Sequence, residues 1–193
     1  MTPRPARQSP AVFTIGHSTR PIGEFVELLR SHGIRQILDI RTIPKSRHNP
    51  QFNADSLAAS LDAAGIGYIH LKELGGLRRA KRDSVNLGWR NASFRGFADY
   101  MQTPEFAGSL DRAIRLAADR PTALMCAEAV PWRCHRSLVA DALVVRGIRV
   151  LEIVSAAGPK EHTLTSFALV RGAIITYPGD QQALFDPAQS NPH

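Results

Sequence analysis

Only two cysteines, Cys126 and Cys134, occur in 193 residues. That scarcity excludes the disulfide framework of small secreted domains and leads to the expectation of a reducing compartment. No stretch approaches the roughly twenty consecutive apolar residues that cross a bilayer, so no membrane partner is expected. The first ten residues, Met1 to Pro10, carry proline and arginine but no apolar segment, unlike a secretory signal, and the expected location is cytoplasmic. Acidic residues are also scarce: 17 Asp and Glu stand against 24 Lys and Arg, for a formal net charge of +7. A surface of that sign attracts anions, phosphate-bearing ligands included.

Hydrophobic residues at 44% and charged residues at 21% lie near globular averages, which excludes disorder or a fibrous architecture for the middle of the chain. The length suits one domain with a full core and is short for two. The expected organisation is a disordered lead-in over 1–10, a single α/β domain over 11–178 and a loose tail over 179–193.

Short apolar runs alternate with amphipathic ones. Ala11 to Ile15 predicts a strand ending at Gly16, and Pro21 suits the first turn of a helix in which Ile22, Phe25, Val26 and Leu29 keep helical spacing up to Gly33. Ile34 to Ile40 predicts a second strand, Asn53 caps a helix carrying Leu57 and Leu61, and Tyr68 to Leu71 predicts a third strand. A long irregular segment then reaches about Asn91 and includes the basic run Arg78, Arg79, Lys81 and Arg82; loops of that length are usually functional or mobile. Ser93 and Thr103 look like helix caps, Thr122 to Cys126 is a fourth strand, Ser137 to Val145 a helix, and Ile148 to Val154 a fifth strand. Thr163 to Tyr177, with Gly172 near its middle, suits an edge hairpin or a terminal strand. Nearly continuous apolar strands alternating with helices predict a three-layer, Rossmann-like α/β fold: an open, mainly parallel sheet with helices on both faces.

In such sheets ligands bind outside the carboxyl ends of the strands. His17 and Ser18 follow the first strand, Asp39 and Arg41 end the second, Glu73 follows the third, and Cys126 and Glu128 end the fourth. All are expected on one edge. The densest stretch runs from Cys126 to Arg136, with Cys134, His135 and Arg136 at a helix start. A thiol near arginines and a helix N-terminus is activated as a nucleophile, although cysteine is also a common space-filler in cores. Glu128 and Asp39 are candidate acid–base groups, unless Arg41, Arg133 or Arg136 neutralises them. The candidate catalytic residues are therefore Glu128, Asp39 and Cys126; the candidate ligand-binding residues are His17, Ser18, Arg41, Glu73, Cys134, His135 and Arg136. The carboxylates and arginines rank ahead of the thiols.

Two more specific readings fail on spacing. The loop superficially resembles the phosphate loop of cysteine phosphatases, but six residues separate Cys126 from Arg133, one too many, and none is the glycine that lets backbone wrap a phosphate. Cys126, Cys134, His135 and His17 are zinc-type donors, yet two cysteines separated by seven residues with no second pair match no zinc spacing. No metal is expected, and no cofactor is identified.

Five motifs stand in order: Thr14-Ile15-Gly16-His17-Ser18; Asp39-Ile40-Arg41 with Pro44 and Ser46 following; Phe52-Asn53; Glu73-Leu74-Gly75-Gly76; and Cys126-Ala127-Glu128 with Cys134-His135-Arg136. Together they resemble the family called domain of unknown function 488, from about Val12 to Ile153. The resemblance implies a cytosolic bacterial or archaeal α/β protein and implies no reaction. The chain departs from the family pattern at Lys45, a position usually aromatic or apolar there.

Three functions follow as expectations. The first is an enzyme binding a small anionic, phosphorylated or nucleotide-like ligand at the strand ends. The second is a nucleic-acid-associated protein, from the net charge, the 78–82 run, and Trp89 with Arg90 as base-stacking groups. The third is a thiol-based redox or sensing protein using Cys126 and Cys134.

Overall fold

The computed structural model describes residues 11–179. The expected lead-in at 1–10, and the expected tail from residue 180 onward, lie outside the described residues. Along the chain run β1 (Ala11–Gly16), α1 (Ile22–Ser31), β2 (Gln36–Asp39), α2 (Ala54–Ala63), β3 (Gly67–His70), α3 (Ala92–Tyr100), α4 (Pro104–Ala118), β4 (Thr122–Cys126), α5 (Arg136–Val145), β5 (Arg149–Ile153), β6 (Lys160–Glu161), β7 (Leu169–Arg171) and β8 (Ile174–Thr176). Among the described residues no helix is long and apolar enough to cross a membrane.

Local chemistry sets the helix starts. Thr103 caps α4 as expected: its hydroxyl accepts the Phe106 N–H at 3.3 Å, and Pro104 opens the helix. Helix α3 starts differently, because Asn91 caps it in place of Ser93. The Asn91 side-chain oxygen reaches the N–H groups of Ser93 (2.8 Å) and Phe94 (3.4 Å). Asn53 stands at the start of α2, but its oxygen accepts the Ser46 N–H at 2.7 Å and so ties the segment after β2 to the helix.

Five strands form a parallel sheet, and β6 adds an antiparallel edge in the order β3-β2-β4-β1-β5-β6. Side chains alternate between its faces. On β4, Ala123 and Met125 join a core with Phe25, Leu28 and Leu29 of α1 and Leu57 and Leu61 of α2. Leu124 and Cys126 point the other way, into a core built by α3, α4 and α5. The fold is thus the three-layer, Rossmann-like open sheet with helices on both faces.

The segment after β5 does not extend the parallel sheet. Among the described residues, strands β7 and β8 pair only with each other, turning at Gly172 (φ +61°), and Ile175 and Tyr177 pack onto the α3–α5 core. The Tyr177 hydroxyl donates to Asp141 of α5 at 2.8 Å, and the Tyr177 N–H donates to the side-chain oxygen of Asn86 at 2.9 Å. The irregular segment 75–91 is thereby tied to the C-terminal hairpin.

Strand order also opens the site. β4 lies between β1 and β2. The chain leaving β1 and β2 turns to the α1/α2 face, whereas the chain leaving β4 turns to the opposite face. Diverging connections leave a crevice at the carboxyl ends of these three central strands, the topological switch point of an open α/β sheet.

Candidate functional site

The floor of the crevice is the link from β4 to α5. It leaves the sheet at Cys126, makes a tight turn over Pro131–Arg133 and returns through Cys134 and His135. The Cys134 N–H closes that turn on the Pro131 carbonyl at 2.9 Å. Arg136, 1% exposed, holds the link from inside, donating Nη1 to the Glu128 carbonyl at 3.0 Å and Nη2 to that of Ala129 at 3.4 Å; its Nε has no partner among the described residues. From the other side β1 presses against the link: the His17 and Ser18 N–H groups donate to the Cys126 and Ala127 carbonyls at 3.0 and 2.8 Å. Any Cβ at Gly16 would collide with the Glu128 carbonyl, which explains the glycine of the first motif.

At the end of β4 the two thiols and one imidazole meet. His135 Nε2 lies 3.2 Å from the Ile40 carbonyl. A carbonyl only accepts, so Nε2 carries the proton and the neutral ring presents a bare Nδ1. That Nδ1 faces Cys134 Sγ at 3.7 Å and Cys126 Sγ at 3.9 Å. The ring is positioned by an edge contact with Phe97 at 5.0 Å and by Gly76, where a Cβ would stand 2.5 Å from Nδ1. The Cys134 thiol beside it, with the Arg136 charge adding to the effect, holds Cys126 well below the usual thiol range; Cys126 and burial push Cys134 up.

Beside this trio lies a second polar cluster. Asp39 is fully buried and accepts from Arg41 Nε (2.9 Å), Arg41 Nη2, the Arg41 backbone N–H (3.1 Å) and the Tyr68 hydroxyl (2.8 Å). Arg41 Nη1 donates to His17 Nε2 at 3.2 Å, and His17 donates from Nδ1 to the Ser18 carbonyl at 2.7 Å. Burial, with the Arg41 charge adding to it, lowers the His17 pKa, in keeping with a neutral ring that accepts from a guanidinium and stacks on Phe52 at 4.1 Å. Burial and the Asp39 charge push the Tyr68 hydroxyl up.

The crevice opens as a cleft of about 430 Å³ whose lining includes Arg41, Cys126, Glu128, Cys134 and His135. Glu128 is exposed at its mouth, and its carboxylate has no hydrogen-bond partner among the described residues. Ser18 takes a left-handed backbone conformation (φ +54°) at the turn after β1 and does not line the cleft. Glu73 also lies off the cleft, and its carbonyl accepts from Arg78 Nη2 (2.8 Å) and the Tyr100 hydroxyl (2.9 Å). Apolar walls come from residues that sequence reasoning missed: Ile43 (62% exposed), Leu77 (70% exposed) and Phe94, with Arg133 exposed at the rim. Ile43 and Leu77 stand in irregular segments where no periodicity marks them.

In the basic run, Arg78 lies over the Tyr100 ring at 3.6 Å, whereas Arg79, Lys81 and Arg82 are exposed. Trp89 packs on Phe94, Phe167 and Tyr177. Cys126, Cys134 and His135 are the one group of three or more His, Cys, Asp or Glu among the described residues able to hold a metal ion, their donor atoms all within 4.8 Å of one another. Two thiol sulfurs and an imidazole nitrogen suit zinc but fall one short of a closed structural site.

A family model described as domain of unknown function DUF488 matches residues 21–143. That span contains β2, β4 and most of α5, and with them Asp39, Arg41, Cys126, Cys134 and His135. No curated protein and no solved structure matches the chain.

Proposed function

The chain belongs to the DUF488 family, and we propose that its strand-end cleft is the active site of a cysteine-dependent enzyme acting on a small anionic ligand. Cys126 is the nucleophile and His135 the general base. One observation carries this reading: with Nε2 committed to the Ile40 carbonyl, the only free lone pair of the imidazole points at the sulfurs. A base held by a third group within reach of a thiol is the general arrangement of an activated cysteine.

The thiols therefore move ahead of the arginines and carboxylates as reactive groups. Arg41 and Arg136 already donate to Asp39 and to loop carbonyls, and Asp39 accepts four internal hydrogen bonds. Glu128, free at the mouth, and Arg133, exposed at the rim, are the charged side chains placed to meet a ligand. The excess of positive charge on the chain attracts anions to its surface, and Arg133 stands at the rim of the cleft.

Timed labelling with iodoacetamide at pH 7, mapped by peptide mass spectrometry, tests the assignment. A free thiol is only a few per cent ionised at that pH, so Cys126 is expected to react about tenfold faster than free cysteine. His135→Asn should remove most of that advantage. A Cys126 that reacts no faster than free cysteine would rule out the nucleophile.

A further inference from the structure

We infer that the substrates of this cleft are small anionic disulfides, reduced in two exchange steps by Cys126 and Cys134 with His135 serving both. The inference rests on the reading of Cys126 as nucleophile and adds the substrate class. A one-thiol enzyme needs one sulfur at its base. Here two free thiols line one cleft, and the bare Nδ1 stands at nearly equal distances, 3.7 and 3.9 Å, from both. Cys134 Sγ also accepts the Arg136 N–H of the first turn of α5 at 3.4 Å, a contact that favours its thiolate and opposes the effect of burial, and the hold of Cys126 on its proton ends once Cys126 enters a mixed disulfide. It is a second sulfur equipped to react.

The steps balance as follows. Cys126 passes its proton to His135 Nδ1, and its thiolate attacks one sulfur of the disulfide. The substrate S–S bond breaks, and the departing thiolate takes the proton from the imidazolium, leaving a mixed disulfide on Cys126. Cys134 then passes its proton to the same Nδ1 and attacks the Cys126 sulfur. The second substrate thiolate leaves with that proton, and a Cys126–Cys134 disulfide remains. One substrate disulfide is reduced to two thiols, and the protein dithiol is oxidised. An external dithiol, small or protein-borne, restores it by the reverse exchange. The protein sulfurs start within 4.8 Å and must close to about 2.05 Å, a movement that falls to the short link carrying Cys134.

The cleft walls fit the substrate. Ile43, Leu77 and Phe94 offer apolar surface to the stems of a disulfide, Arg133 at the rim offers a donor to a carboxylate, and Glu128 at the mouth offers an acceptor to an ammonium group of the same anionic molecule.

The test uses full-length protein, reduced, treated with chelator and then desalted. It is mixed separately with oxidised glutathione (anionic), hydroxyethyl disulfide (neutral) and cystamine (cationic), and followed by intact mass and thiol release. The wild type is expected to lose two hydrogens and release two thiols per chain. Cys134→Ser should stop at a mixed disulfide on Cys126 with one thiol released, and Cys126→Ser should release none. Oxidised glutathione should react about tenfold or more faster than cystamine, the scale of electrostatic attraction.

A wild type that halts at the mixed disulfide overturns the role of Cys134 while leaving Cys126 as nucleophile. Faster reaction of cystamine overturns the anionic substrate class. Zinc bound at one per chain before chelation, with both thiols inert until it is removed, overturns the inference in favour of a metal centre. If Cys126 neither alkylates nor exchanges after chelation, the nucleophile reading falls as well.

Discussion

Two buried polar clusters stand side by side at the carboxyl ends of the central strands, and they differ in what they leave unpaired. Around Asp39 the bonds close on themselves: the carboxylate accepts from Arg41 and Tyr68, Arg41 donates onward to His17, and His17 returns its proton to the backbone. Around Cys126 the bonds stay open, because one imidazole lone pair faces two thiols on the wall of a cleft. Asp39 and Arg41 are residue types often used in catalysis, and here their side chains are bound to each other, to Tyr68 and to His17. Most buried polar groups are hydrogen-bonded, so the lone pair left open beside the two thiols is what sets the second cluster apart.

The largest expected effect comes from breaking the closed cluster. Asp39→Ala leaves the Arg41 charge buried without its counter-ion, at a cost of about 3–5 kcal/mol. Urea denaturation should show that loss, and a cost under about 1 kcal/mol would mean that the buried pair does not hold the fold. Opening the other cluster should act on reactivity instead. His135→Asn is expected to slow disulfide exchange about a hundredfold, the scale of a positioned general base, while the urea midpoint stays close to that of the wild type.

Gly76→Ala sharpens the contrast from outside, since its Cβ at 2.5 Å would push on His135 Nδ1. It should destabilise by about 1–3 kcal/mol, the usual cost of overpacking, and should lower Cys126 labelling as well. If stability falls with no change in labelling, the ring position does not matter to the thiol.

A further expected effect concerns pH. His162 lies between Asp141 (2.8 Å) and Glu152 (2.7 Å); although burial opposes the charge, these hydrogen bonds carry its pKa up to about 9. A raised histidine pKa stabilises the fold fully below the unfolded value of about 6.5, and that contribution disappears as pH rises through about 9. His17, lowered by burial, acts with the opposite sign: its contribution is present above about 6.5 and is lost as pH falls. Thermal melts from pH 6.5 to 9.5 should decline for the wild type and decline less for His162→Gln. Equal slopes would remove His162 from the account.

Much of the fold was legible because the five parallel strands are largely apolar runs bounded by glycine, proline or a polar cluster, and those signals are local. Position at the strand ends was legible for the same reason, so His17, Asp39, Arg41 and Cys126 were all placed on one edge. Their use was not legible, because it depends on which neighbour each side chain meets. Arg136 looks like an anion-binding residue in sequence, yet it is buried against the Glu128 and Ala129 carbonyls. Cys126 and Cys134 match no spacing rule because the turn at Pro131–Arg133 brings them together, not a regular element. The α3 cap moved from Ser93 to Asn91 because two residues with suitable oxygens lie near the helix start and only Asn91 precedes its first turn.

The most direct test of the central claim is the pH dependence of Cys126 labelling, measured on the wild type and on Cys134→Ala. Wild-type Cys126 is expected to show an inflection well below the value of about 8.5 for an ordinary thiol, moving up when the Cys134 thiol is removed. An inflection at or above that value in the wild type, unmoved by Cys134→Ala, would contradict it.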